Sequence, residues 1–365
     1  MRQESHLTRE LSPAAPPAAT GGLGGQRGLL VAARELHRSA SPLALCFVVL
    51  TMGSTYRKAG ALAAVVAADG TQHGVISGGC LEPELAAAAH RVLAAREPGI
   101  AVFDTQSDRD LIFGSGSGCR GRTTVLLVPI PSGAPALLLE ALERADEARL
   151  PATLAVATDG PRAGSGWCWW STEAVPIGDA PPDLSDLRQR PTGAHPLRPG
   201  ETSAACAVTV IQPLPRLIVV GAGPELPPLI RIGREMGWHV SVIDHRAAAV
   251  ATYAAHADVA IVSRPASGLA RLNGHPRDAV VVMTHTAAND LEALRTLAAR
   301  PERYIGLLGP RARRDELMGE LGPDERGRLI ERLHSPVGIK LGGDGPEVLA
   351  LSIAAEIQQF LTTRE

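Results

Sequence analysis

Three glycine-rich segments carry residues able to bind an anion or a soft metal. In Ser77-Gly78-Gly79-Cys80-Leu81-Glu82-Pro83-Glu84 a thiol stands where a strand gives way to a helix, and Pro83 suits that helix's first turn. A second thiol, Cys119, lies in the stretch 113–121 with Gly118 before it and Arg120 and Gly121 after it. The third segment, Gly53-Ser54-Thr55-Tyr56-Arg57-Lys58-Ala59-Gly60, holds two adjacent cations. Backbone N–H groups in such loops, and at a helix N-terminus, suit an anionic ligand and favour a thiolate at Cys80. Glycine offers no apolar packing, so both flanked thiols are expected to be accessible. Lys58 and Lys340 are the two lysines among 36 basic residues, and both adjoin glycine loops, where a compact ammonium differs most from arginine's planar fork.

A fourth signal is Leu217-Ile218-Val219-Val220-Gly221-Ala222-Gly223-Pro224-Glu225-Leu226. Gly221 and Gly223 follow a strand and open a helix, and Asp244 ends the next strand. That spacing fits a dinucleotide fingerprint: a tight turn, a helix N-terminus facing a phosphate, and an acid on a ribose. Leu226 stands in place of the third glycine, and Pro227 and Pro228 stiffen the turn that follows. His285 and Asp290 come after the strand 279–284, on the side where doubly wound sheets bind ligands.

The elements that must position these residues divide the chain. Residues 1–27 read as a disordered tail rich in Pro and Gly, without the apolar run of a signal peptide. Residues 28–130 read as an α/β unit: a helix at 29–39, strands at 43–51, 61–70 and 73–77, a helix to Ala95, and strands at 100–104 and 123–130. Residues 131–214 read as a helix (136–150), a strand (152–158), a hairpin with linker, and a closing strand (205–212). The cluster 167–170, Trp-Cys-Trp-Trp, fits a hairpin core or an interface patch better than a cofactor box. From 215 to 365, short apolar runs at 217–220, 239–244, 258–262, 279–284 and 304–308 alternate with helical segments. Continuous apolar runs of that length mark buried parallel strands, so this region is a Rossmann-like doubly wound parallel sheet. The fold class is α/β.

Composition narrows the function. A net charge of -2 and 3% aromatic residues argue against a nucleic-acid partner, lacking both a basic field and stacking faces. The longest apolar run, 43–50, is strand length, so no membrane span is expected. Five scattered cysteines form neither a disulfide framework nor a zinc knuckle, which suits a reduced, cytoplasmic protein.

Taken in order, GSTYRKAG, SGGCLE and GCRG resemble the N-terminal domain of the XdhC/CoxI family of xanthine dehydrogenase accessory factors. GAGPELPPL, VIDHR, VVMTH, YIGLLGPRARR and HSPVGIKLGGDGPEVLALSIAAEI are similar to that family's C-terminal Rossmann domain. The resemblance implies a maturation factor that binds molybdenum cofactor (molybdopterin) and delivers its sulfurated form to an apo-enzyme of the molybdenum hydroxylase class. By resemblance, Gly78, Gly79, Cys80 and Glu82 match one cofactor motif, and Gly118, Cys119 and Gly121 match a second. Cys80 and Cys119 are then the soft ligands able to approach molybdenum. Gly53, Arg57, Lys58, Gly221, Gly223 and Asp244 complete the expected binding residues. Arg120 replaces a glycine of the second motif, and Lys340 stands where many relatives carry an acid. Expected partners are the hydroxylase apo-enzyme, a cysteine desulfurase that sulfurates the cofactor, and a second copy of the chain. No acid–base pair or nucleophile triad stands out, so a carrier is expected rather than a catalyst. The rival reading is an NAD(P)-dependent oxidoreductase that holds NAD or another nucleotide in the Rossmann domain, with Asp244 choosing NAD. A third is a scaffold that only docks partners.

Overall fold

The computed structural model describes residues 25–105, 121–180, 182–196 and 205–362. Its first half contains α1 (Gly25–Arg38), β1 (Leu43–Gly53), β2 (Ala61–Ala67), β3 (Gln72–Gly74), α2 (Glu82–Ala95), β4 (Gly99–Asp104), β5 (Gly121–Ile130), α3 (Leu137–Glu147), β6 (Ala152–Ala157), β7 (Gly166–Trp170), β8 (Glu173–Ile177), β9 (Gly193–Pro196) and β10 (Ala205–Ile211). The second half contains β11 (Arg216–Val220), α4 (Leu226–Glu235), β12 (His239–Asp244), α5 (Ala247–Tyr253), β13 (Val259–Val262), α6 (Pro265–Ala270), β14 (Ala279–Val282), α7 (Ala287–Ala298), β15 (Tyr304–Leu307), α8 (Arg311–Gly319), α9 (Pro323–Leu329), β16 (Leu333–His334) and α10 (Pro346–Thr362).

Two antiparallel five-stranded sheets make up the first half, ordered β3-β2-β1-β5-β4 and β8-β7-β6-β10-β9. Strand β1 is central and alternates its burial between two faces. Leu43, Leu45 and Phe47 pack with α1 and α3, whereas Ala44, Cys46 and Val48 pack with Leu85, Ala88 and Ala89 of α2. The first of these cores also takes in Leu154, Val156, Cys168 and Ala207 of the second sheet. Residues 131–214 therefore share a core with 28–130. The expected hairpin and linker are a full sheet, with Trp169 and Trp170 of β7 buried in it.

Helix α1 begins inside the expected tail. Arg27 donates to the Trp238 carbonyl at 2.9 Å and forms a bidentate pair with Asp258 at 2.6 and 2.7 Å, so this turn is tied to the C-terminal domain. The expected strand 73–77 stops at Gly74, because the Ile76 and Ser77 N–H groups turn to a side chain instead of a ladder.

The C-terminal domain is a six-stranded sheet ordered β13-β12-β11-β14-β15-β16, and its strand pairs are all parallel. Its strands are apolar on both faces because helices cover both: α4 and α10 on one side, α7 on the other. The order reverses between β11 and β14, where such sheets open a crevice. Asp278 fastens this domain to the first half. It is fully buried and receives Arg149 at 2.7 Å, Arg216, and the His275 N–H at 3.0 Å.

Candidate functional site

Strand register gathers the glycine loops of the first half at one end of the first sheet. Gly53, the last residue of β1, pairs with Gly121, the first of β5. Asp104, the last of β4, pairs with Arg122. Strand β2 starts beside β1 at Ala61, and β3 runs back along it with Gly74 opposite Ala64. The connections 54–60 and 75–81 therefore leave from the same end, where Thr105 N also bonds to Gly121 O at 2.9 Å. Gly118, Cys119 and Arg120 lie outside the described residues.

Glu82 shapes the Cys80 loop. Its carboxylate accepts the Ile76 N–H at 3.1 Å, the Ser77 N–H at 2.9 Å and the Ser77 hydroxyl at 2.5 Å. The Ser77 Oγ in turn accepts the Gly79 N–H at 3.2 Å and the Leu81 N–H at 3.0 Å. Burial pushes the Glu82 carboxyl up, but the hydrogen bonds from Ser77, Ile76 and its own N–H together hold it below the usual value. Glu82 thus serves the loop inward and positions Cys80. Around the thiol the loop is open: a Cβ on Gly78 or Gly79 would meet nothing within 4 Å, and Cys80 is half-buried. Gly79 has φ +115°, a conformation that side chains rarely adopt.

An expected result follows from these bonds. Glu82→Gln should lower the hydrogen-exchange protection of the Ile76 and Ser77 amides by about 10- to 100-fold, because a charge-assisted acceptor is worth roughly 1.5–3 kcal/mol. Unchanged protection would contradict the anchoring role. With the folded pKa below the unfolded one, the loop's stabilisation is complete above the ordinary carboxylate range and is lost as pH falls through the folded value.

The neighbouring loop packs on Gly121, where a Cβ would lie 2.2 Å from the Ser54 carbonyl oxygen. Glycine at 121 is thus needed for close approach. Lys58 Nζ donates to Thr55 Oγ1 at 3.3 Å, and Arg57 is half-buried with its Nε shut off from water and without a hydrogen-bond partner. Burial lowers the Arg57 pKa, partly countered by Tyr56.

The other expected residues lie in the C-terminal domain, at the crevice between β11 and β14. Gly221 is held by sterics, since a Cβ would come 2.5 Å from the Met283 carbonyl oxygen. Over Gly223 sit Glu225 and His285: a Cβ there would lie 2.7 Å from Glu225 Oε2 and 3.3 Å from His285 Nε2. Within the first turn of α4 the N–H groups are bonded or missing, whereas those of Gly223 and Glu225, just before it, meet no acceptor among the described residues. Leu226 N donates to Gly223 O at 3.1 Å, Leu229 N to Glu225 O at 3.2 Å, and Pro227 and Pro228 have none.

Asp244 ends β12 as the spacing predicts, but its carboxylate faces its own chain. Oδ2 accepts the Ala222 N–H at 2.7 Å and Arg246 Nη2 at 2.8 Å. Oδ1 accepts the Arg246 N–H at 2.8 Å and Arg246 Nε at 3.0 Å. Arg246 also donates to the Ala222 carbonyl at 2.8 Å, closing the ring around the turn. Asp290 is equally committed: it is fully buried, paired with Arg313 at 2.6 and 3.0 Å, and accepts the Thr284 N–H at 3.2 Å.

Sequence reasoning missed Ser77, Glu225, Arg246 and Arg313. Arg246 had a readable signal, an arginine two residues after the acid of the fingerprint. The other partners depend on tertiary approach. Among the described residues no group of three or more His, Cys, Asp or Glu is placed to hold a metal ion.

The chain is 32% identical over 321 residues to a probable xanthine dehydrogenase subunit of Bacillus subtilis (strain 168), covering 86% of this chain and 92% of that one. Residues 36–104 match the profile of the XdhC and CoxI family, and residues 217–357 match the XdhC Rossmann domain. The chain belongs to the XdhC and CoxI family. A crystal structure described as a xanthine dehydrogenase from Bacillus halodurans is similar in fold, with a TM-score of 0.75 and 29% identity over 93% of this chain and 97% of that one. A shorter likeness, 29% over 150 residues, links it to the uncharacterized protein YqeB of Escherichia coli (strain K12), covering 40% of this chain and 27% of that one. The profile matches take in both the Cys80 loop and the Gly221 turn. Among the described residues no helix is long and apolar enough to cross a membrane.

Proposed function

We propose that this XdhC and CoxI family chain binds molybdenum cofactor at the end of its first sheet and hands it, in sulfurated form, to a xanthine dehydrogenase-class apo-enzyme. The observation that carries this reading is the Cys80 loop: a half-buried thiol, two glycines open to solvent, and Glu82 holding the backbone around them. The names of the relatives support the client class. The residues fit such a cargo. Cys80 supplies a soft sulfur for a metal that brings its own dithiolene. The Gly53–Gly60 loop, with Arg57 and Lys58, supplies positive charge for the anionic end. When bound, the cofactor brings oxo- and sulfido-transfer chemistry that the protein itself lacks. This chain's residues bind it and orient it. A cysteine desulfurase would act upstream and the hydroxylase downstream, both in the cytoplasm, and a second copy of the chain could complete a homodimer.

The test is transfer. Protein loaded with cofactor should restore activity to a purified apo-hydroxylase, and protein stripped of cofactor should not. Equal restoration by both would reject the reading.

The rival oxidoreductase reading needs a dinucleotide in the β11/β14 crevice. Two features weigh against it: the Glu225 carboxylate over Gly223 and an Asp244 already supplied with four donors. NAD should therefore fail to saturate the wild-type protein in calorimetry. Glu225→Gln should raise its affinity by no more than about fivefold, since removing one charge at a helix N-terminus is worth roughly 0.3–1 kcal/mol. Micromolar NAD binding by the wild type would overturn this.

A further inference from the structure

Arg57 differs from Arg27, Arg149, Arg216, Arg246, Arg300 and Arg313, half-buried arginines that each meet a carboxylate, and from Arg332, which donates to backbone carbonyls. Arg57 has no ion pair and no side-chain hydrogen bond among the described residues; its Nε is enclosed, as is that of Arg149, but its two terminal nitrogens are open and without a partner. A half-buried guanidinium with open terminal nitrogens and no protein acceptor offers two parallel N–H donors to an anion. Nothing in the neighbouring loop neutralises it, because the Glu82 carboxylate is spent on Ile76 and Ser77. Lys58 adds a second, exposed cation one residue on, with its ammonium on Thr55. Tyr56, 62% exposed, leaves an aromatic face uncovered in the same loop.

We propose that Arg57 is the receptor for a phosphate monoester group, gripping two of its oxygens with the guanidinium fork while Lys58 contributes a point charge. The planar fork matches phosphate oxygens bidentately, and a doubly charged phosphate uses both cations where a carboxylate needs only one. This rests on the reading of the sheet-end site as a cofactor site, and assigns the division of labour within it. Cys80 faces the soft end of the cargo and Arg57 its phosphate.

A structural arginine and a ligand-binding arginine predict opposite results for the ligand-free protein. Losing a paired arginine destabilises. Losing an unpaired, partly desolvated one leaves stability unchanged or raises it. The experiment uses the full chain as wild type, Arg57→Met and Arg57→Lys, with Lys340→Met as a control in the other domain. Inorganic phosphate, glycerol phosphate and acetate are each titrated while melting temperature and, for the two phosphates, the phosphorus NMR linewidth are followed. In the wild type, both phosphates should raise the melting temperature and broaden the line, and acetate should do neither. Arg57→Met should lose these responses while melting, ligand-free, at or above the wild-type temperature. Arg57→Lys should keep a weakened response, and Lys340→Met a full one.

A phosphate response in Arg57→Met equal to the wild type overturns the proposal, as does an equal response to acetate or a marked fall in the ligand-free melting temperature. Failure of the cofactor reading is separable. A protein that binds phosphate through Arg57 but never carries pterin keeps the proposal and loses that reading. Equal pterin retention by Arg57→Met does the reverse.

Discussion

Asp244→Ala is expected to destabilise the C-terminal domain by about 2–4 kcal/mol without any measurable change in nucleotide affinity. Breaking a buried ion pair typically costs roughly 3–5 kcal/mol because the remaining charge is stranded. Here Arg246 is partly exposed and can turn toward water, which moves the expectation to the lower part of that range. The Ala222 N–H, by contrast, has nowhere to turn and loses its acceptor inside the Gly221 turn. Arg246→Ala should cost less, since Asp244 keeps the N–H groups of Ala222 and of residue 246. Denaturant melts followed by Trp238, which is buried against this domain's core, would give both values. Stability unchanged in Asp244→Ala, together with a tenfold loss of nucleotide binding, would restore the ribose role. Acid should act in the same direction as the mutation. Burial pushes the Asp244 carboxyl up, but the hydrogen bonds and charge of Arg246 and the Ala222 N–H hold it below its ordinary value. Its contribution is therefore complete above the unfolded carboxylate range and is lost as pH falls through the folded pKa.

Cys80→Ser should reduce cofactor retention at least tenfold while changing stability by less than about 1 kcal/mol. The side chain is half-buried among open glycines, so it contributes little of the packing that makes core substitutions costly. Cys46 and Cys168 make the contrast. Both are fully buried in the sheet cores, where burial pushes each thiol up to about 12, so neither is a thiolate at neutral pH. Cys46→Ser should therefore lower stability and leave the retention of the surviving folded protein intact. The reverse pattern, a large loss of stability in Cys80→Ser with cofactor content unchanged, would mark Cys80 as structural.

The C-terminal domain was the more legible half. Its strands are buried on both faces, so each reads as an unbroken apolar run, and the fingerprint located Gly221 and Asp244 at their observed places. The fingerprint could not reveal which donors face Asp244. That depended on the reach of Arg246 across the turn, a contact that no spacing rule encodes. The second antiparallel sheet was half hidden because β7, β8 and β9 are short and set among Gly, Pro and Ser. Their burial comes from a core shared with β1, far off in sequence. Helix α1 starts earlier than composition implied, since Arg27 is ordered by Asp258 of another domain. In the Cys80 loop the residue types marked a glycine-flanked thiol before a helix, but not that Glu82 serves the backbone. A carboxylate at the start of a helix is as able to cap its own loop as to meet a ligand.

The most direct test of the central claim is molybdenum and pterin analysis of the full-length protein purified without oxygen. Metal content by plasma mass spectrometry and pterin by fluorescence after oxidation should show both at near-stoichiometric and matching levels, and both should fall together in Cys80→Ser. Protein that folds, turns over NAD with a small substrate and carries neither molybdenum nor pterin would contradict the account.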